Sequence, residues 1–316
     1  MPRVKGALTA GTQELIDAAV EILSLRHPIS LRGLFYQLVV TGFFSNDRTN
    51  YQKLSRAMVK ARESGAVDWN WITDSIRQTL KPSSWSGLDN YLECVQSSYR
   101  RSMWSRMPHY ICFFCEKDAM AGALEPATAE FDVALHVVRG YVSASYSHGI
   151  AMNWRWIKKP IYAYYLGDWD PSGLDLERNL RDALERYSGR LDLARVVSEY
   201  TAIDPEEFFA EQSDNESFVW RRLAVNADDF DKFKIVPMLA KKTDSRSKAF
   251  AKKHGRQCAE LDAIPADVLR ERIEDAIHAH IDHDEWARMR TVEAAERETL
   301  ETFITGMRGE TDENRD

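Results

Sequence analysis

The sequence predicts an α/β protein with an N-terminal helical domain, a mostly parallel sheet after it, and a helical C-terminal region. Three observations carry this. Up to about residue 106, apolar positions recur at helical spacing. From Pro108 to about residue 200, short apolar runs alternate with amphipathic stretches, the order that yields a parallel sheet covered by helices. Residues 200–316 are charged and helical in tendency, with "MRGETDENRD" reading as a disordered end.

The first helix is predicted over residues 12–27, where Leu15, Ile16, Ala19, Val20, Ile22 and Leu23 share a face and Pro28 stops the run. Ser30 is placed to cap "LRGLFYQLVVTG", whose stripe is Leu31, Leu34, Phe35, Leu38 and Val39. A third helix fits "NYQKLSRAMVKARESG", with Tyr51, Leu54, Met58 and Ala61 inward and Lys53, Arg56, Lys60 and Arg62 on the polar face. "AVDWNWITDS" then alternates like a strand. Helix, helix, basic helix, strand is the order of a winged helix-turn-helix, which would lay Lys53, Arg56 and Lys60 along nucleic-acid phosphates. A scaffold bundle with a solvated basic face has the same order. These residues make a domain of 1–80, followed by a linker and helix over 81–106 that opens with Pro, Ser and Gly.

The sheet domain is expected over 107–200 and the helical extension over 201–316. "HYICFFCE", "VALHVVRG" and "KPIYAYYLGD" read as strands, with "LDLARVVSEY" a fourth. "KDAMAGALEPATAEF", "YVSASYSHGIAMNW" and "GLDLERNLRDALERY" read as the intervening helices. Cys112 and Cys115 lie within the first strand, where alternation sends them to opposite faces, so this C-x-x-C reads as structural.

The net charge is −7 but uneven: residues 1–106 hold 14 Lys/Arg against 9 Asp/Glu, about +5, leaving about −12 for the rest. The N-terminal third is therefore the expected partner of a polyanion. Four scattered cysteines make no disulfide framework, and no apolar run approaches the ~20 residues that span a bilayer. The start of the sequence reads as lacking a secretory signal, so a cytoplasmic setting is expected. "LAKKTDSRSKAFAKKHGRQ" is basic and reads as a solvated helix face or a phosphate-tracking surface. His278, His280, Asp282 and His283 cluster in sequence, but helical spacing does not bring them to one face.

In an open parallel sheet, functional groups belong at the carboxyl ends of strands. Glu116 closes one strand, and Asp168 and Asp170 close another; such carboxylates suit Mg²⁺, and a lone D-x-D before a helix also suits helix capping. "CEKD", Gly140 and "GDWDPSG" together resemble the Toprim domain of topoisomerases, primases and some nucleases. The form D-x-D-P-x-G is closer to the A subunit of topoisomerase VI and its meiotic relative that makes double-strand breaks. That family carries an arginine four residues before a nucleophilic tyrosine; here "SLRGLFYQL" has Arg32 and Tyr36, which share a helix face. Phe35 and Gly33 depart from the family pattern, which has a first tyrosine and an acidic residue at those positions.

The resemblance covers about residues 12–75 and 108–200, with a fainter likeness in "GRQCAELDAIPADVLRERIEDAI". The chain is most similar to the stand-alone mini-A relatives. The resemblance implies a Mg²⁺-dependent enzyme cutting double-stranded DNA, with Tyr36 attacking a phosphate and Arg32 neutralising it. Glu116, Asp168 and Asp170 would hold the metal, and Lys117 would add a phosphate contact. It implies a homodimer in which the tyrosine of one copy meets the metal site of the other. No G-x-x-x-x-G-K-[ST] loop occurs in the sequence, so ATP-driven strand passage would need a separate B-type ATPase subunit. Two alternatives keep part of the pattern: a Toprim nuclease using metal-activated water, and a non-catalytic winged-helix regulator.

Overall fold

The computed structural model describes residues 9–73, 83–199, 217–241 and 243–313. The chain divides into two compact units, Met1–Arg77 with Tyr110–Ile277, and Gln78–His109 with His278–Asp316. Among the described residues no helix is long and apolar enough to cross a membrane.

The larger unit opens with α1 (Ala10–Arg26), β1 (Ile29–Ser30), α2 (Leu31–Val40), α3 (Arg48–Glu63) and β2 (Ile72–Thr73). Local sequence explains the helix starts. Ser30 Oγ accepts the Gly33 N–H at 3.0 Å, and Asp47 Oδ1 accepts the Asn50 N–H at 2.8 Å, so donors left over at each first turn are satisfied. Leu15, Ile16, Leu34, Leu38, Leu54 and Met58 close the core beneath these helices. The expected strand over 66–75 is shorter: Trp69–Trp71 form a 3₁₀ turn, which Asp68 opens by accepting the Asn70 N–H at 2.7 Å. Only Ile72–Thr73 is extended, pairing in parallel with β1. The remainder of that stretch, and the start of the linker, lie outside the described residues.

After α4 (Leu88–Ser98), which belongs to the second unit, come β3 (Tyr110–Cys115), α5 (Asp118–Glu130), β4 (Ala134–Val137), α6 (Ala144–Trp156), β5 (Ile161–Leu166) and α7 (Pro171–Ser188). Next are β6 (Leu191–Asp192), α8 (Leu193–Glu199), β7 (Ser217–Ala224) and α9 (Asp229–Lys232). They are followed by β8 (Met238–Leu239), α10 (Ser247–His254), β9 (Gln257–Cys258), α11 (Ala266–His278) and α12 (His283–Glu313). The main sheet has order β4-β3-β5-β7-β6 with every pair parallel. β8 and β9 form a separate antiparallel pair.

One core cluster brings Cys112 and Phe114 together with Trp154, Tyr165, Leu184, Phe218 and Trp220, and α6 and α7 pack against each other. Phe113 and Tyr164 instead stack on each other at 5.2 Å between ring centroids. Cys112 and Cys115 are free and buried, and burial pushes both thiols up, Cys115 to about 12. α7 starts at Asp170–Pro171 and stops at Gly189, whose φ of 72° is the left-handed conformation glycine adopts without a side-chain clash.

Three expectations are corrected. The fourth predicted strand, 191–200, is extended only at Leu191–Asp192 and then helical over Leu193–Glu199. Asp192 Oδ1 accepts the Ala194 N–H at 3.1 Å there, a local bond that turns the backbone out of the strand. Tyr200 lies outside the described residues. The central strand β7 falls instead in the region read as helical, where Arg221 and Arg222 break the apolar alternation of "SFVWRRLA". The C-terminal "MRGETDENRD" is helical to Glu313, and residues 314–316 lie outside the described residues.

In the second unit α4 packs on α12. Tyr99 donates to Glu296 Oε2 at 2.6 Å, Arg101 pairs with the same carboxylate, and Trp104 meets Trp286 edge-on at 5.7 Å. His109 and His280 approach through Nδ1 atoms at 3.3 Å, and His278 stacks on His283.

Candidate active site

The pairing of β3 with β5 puts Cys115 opposite Leu166, and the Glu116 N–H continues the ladder to the Leu166 carbonyl at 2.9 Å. Glu116 and the Gly167–Asp168 turn therefore leave the sheet side by side. Glu116 Oε2 accepts the Asp168 N–H at 2.9 Å and the Tyr165 hydroxyl at 3.2 Å. A Cβ on Gly167 would overlap that carboxylate oxygen and the Tyr165 ring, so the glycine of "GDWDPSG" is a packing requirement.

The second strand of the small hairpin runs into this turn. Trp169 and Ala259 exchange backbone hydrogen bonds at 2.8 and 3.0 Å, and the Leu261 N–H donates to Asp168 Oδ1 at 2.7 Å. Asp170 caps α7, its Oδ1 accepting the Gly173 N–H at 2.6 Å. A Cβ on Gly173 would collide with the Asp168 carbonyl. Gly173→Ala is expected to destabilise the protein by about 1–3 kcal/mol, the usual cost of overpacking. Ser172→Ala next to it should stay within ~0.5 kcal/mol. Urea unfolding of both variants checks the pair.

Lys117 turns inward. Its Nζ lies 3.1 Å from Asp168 Oδ1, 2.9 Å from Glu260 Oε2 and 2.7 Å from Asp262 Oδ2. From the other side, Arg32 Nη2 donates to both oxygens of Glu260, at 2.9 and 2.6 Å, and Arg32 Nε lies 3.6 Å from Asp262 Oδ2. The Arg32 guanidinium sits 5.9 Å from the centre of the Tyr36 ring, the expected i, i+4 neighbour. Tyr36 is 8% exposed and lines a cavity of about 250 Å³ with Arg32, Phe35, Asn46, Arg48 and Tyr51.

Burial and the Glu260 charge hold the Tyr36 phenol above the ordinary tyrosine range, against Arg32 and Lys117, which pull it down. Burial would raise Glu260, but Lys117 and Arg32 keep it below the usual carboxylate range. Burial, then the charge of Asp168, pushes Glu116 up to about 7, and burial raises Asp168 as well. An unfolded glutamate ionises near 4.5, so the folded chain binds the extra proton between about 4.5 and 7. Stability from this group is full below that window and lost as pH rises through it. Glu116→Gln should therefore unfold at a higher temperature than the parent at pH 8 and lose that advantage at pH 4.5, as thermal melts without added metal will read.

The other expected residues lie apart from this cluster. Lys53, Arg56 and Lys60 are exposed on α3 and line a second cavity of about 430 Å³ with Thr12, Phe43 and Phe44. Glu260 and Asp262 were not anticipated. The one sequence signal for them is "AELDAI", inside the stretch similar to the family's C-terminal part.

The donors suit a hard cation in part. Glu116 and Asp168 each engage the protein through one oxygen, and their other oxygens accept no hydrogen bond among the described residues. Magnesium is commonly held by one or two carboxylates, with substrate phosphates and water completing the shell. Asp170 is engaged in capping, and among the described residues no group of three or more His, Cys, Asp or Glu side chains could hold a metal ion. The fold and site thus define a parallel-sheet α/β protein with a carboxylate and cation network at the strand ends. Comparison with protein-family models, with curated proteins and with solved structures returns no match.

Proposed function

We propose that the chain is a Mg²⁺-dependent DNA-cleaving protein of the topoisomerase VI A class. In this reading a winged-helix module precedes a Toprim-type sheet, and a cytoplasmic homodimer acts on duplex DNA. The observation that carries the proposal is the chain of contacts Arg32–Glu260–Lys117–Asp168, which links the Arg–Tyr pair of α2 to the carboxyl end of β5.

Tyr36 attacks a backbone phosphorus, forming the tyrosyl O–P bond as the bond to the 3′ oxygen breaks. The phenol proton leaves and the 3′ oxygen gains one, giving a 3′-hydroxyl end and a 5′-phosphotyrosyl link. Arg32 binds the attacked phosphate and offsets its growing charge. Glu116 and Asp168 would hold Mg²⁺, which when bound supplies Lewis-acid stabilisation of the phosphate, while Asp170 stays on the cap of α7. Lys117 keeps Asp168 oriented, and Lys53, Arg56 and Lys60 follow the DNA backbone. Two copies cutting one strand each make a double-strand break, and ATP-driven strand passage would come from a separate ATPase subunit.

The test is incubation with plasmid DNA and Mg²⁺, followed by a denaturing gel. Protein retained on 5′ ends supports the reading, and free ends without protein overturn it. The burial of Tyr36, whose ring packs edge-on against Phe35, favours one alternative, a nuclease that cuts with activated water and uses Tyr36 only for packing. In that case cutting survives Tyr36→Phe.

A further inference from the structure

Resting on that reading, we infer that Glu260 is a built-in stand-in for the DNA phosphate: it occupies Arg32 in the free chain and is displaced when a phosphodiester arrives. The contact occupies the donor that a phosphate would need. Both Glu260 oxygens share one guanidinium nitrogen, Nη2, at 2.9 and 2.6 Å, a charge-assisted contact. Arg32 is the half-exposed partner and Glu260 the more buried one, with side-chain exposures of 49% and 21%, so an anion from solvent reaches the arginine directly.

Displacement leaves no stranded carboxylate. Glu260 remains 2.9 Å from Lys117, whose ammonium also faces Asp168 and Asp262, so the released charge keeps a cationic partner. The same exchange reaches Tyr36. Burial is the first cause that holds its phenol up and stays in place; the Glu260 charge adds to it against Arg32 and Lys117, and displacement relieves only that share. The phosphate-binding arginine is thus neutralised until DNA is present. The cavity beside them, with Arg48 on its wall, gives the incoming backbone a place to enter.

The test separates binding from cleavage. In the full-length Tyr36→Phe chain without Mg²⁺, Glu260→Gln should bind a labelled DNA duplex several-fold more tightly by fluorescence anisotropy. The slope of log affinity against log salt should stay the same, because Arg32 reaches the phosphate in both chains once Glu260 is displaced or absent. Glu260→Asp, which keeps the charge near Lys117 but falls a methylene short of Arg32, should act in the same direction and serves if the glutamine variant does not fold. The tightening should vanish when Arg32 is alanine. Unchanged or weaker binding overturns the inference, and so does equal tightening without Arg32, which would be a bulk charge effect. Tighter binding with no 5′ adduct in the Tyr36 chain would sink the cleavage reading and leave the stand-in; an adduct with unaltered binding would do the reverse.

Discussion

Tyr36→Phe should reduce covalent adduct formation on the order of 10⁴-fold or more, to the floor of a denaturing gel, while the protein keeps its unfolding midpoint. The change removes one oxygen from a side chain whose ring packs edge-on against Phe35, and the phenylalanine ring fills the same space. A catalytic loss with unchanged stability is therefore diagnostic of the oxygen. Mixing experiments then ask where the metal site for each tyrosine lies. Tyr36→Phe and Asp168→Asn chains should each be inactive alone. If the tyrosine meets the metal site of a second copy, mixed dimers regain one complete site and nick DNA. If both belong to one chain, as the contacts from Arg32 to Lys117 to Asp168 allow, mixtures stay inactive.

The largest structural effect is expected at Arg190, which is 4% exposed and donates to the carbonyls of Trp154, Ile157, Lys159 and Ser217. It closes the C-terminal end of α6 and ties it to the start of β7. Arg190→Met keeps the apolar stem and removes every donor. At ~1 kcal/mol or more for each carbonyl left buried without a partner, the loss should reach about 3 kcal/mol in urea unfolding. A loss under ~0.5 kcal/mol would mean that water replaces the guanidinium and that these carbonyls are not sealed off.

The two predictions divide the molecule along a line that also separates what is local from what is not. Apolar spacing, the Ser30 cap and the Asp170–Pro171 start place α1, α2, α3 and α7 in the sequence, because each rests on bonds spanning three or four residues; the Asp47 cap of α3 emerged only from the structure. The runs that become β3 and β5, the carboxylates at their ends and the Arg32–Tyr36 spacing were legible for the same reason. The insertion of β7 between β5 and β6 was not, since a central strand is defined by neighbours rather than by its own pattern. Nor was the direction of Lys117, or the part played by Glu260 and Asp262. Arg32 and Glu260 stand 228 residues apart, and Asp168 and Leu261 stand 93 apart. Charges that far apart in the chain acquire a meaning only when backbone pairing brings them within hydrogen-bond reach. The sequence by itself determined the local helices and the carboxylates at the ends of two strands, and tertiary structure decided which charged groups meet, because those contacts depend on backbone pairing between distant segments.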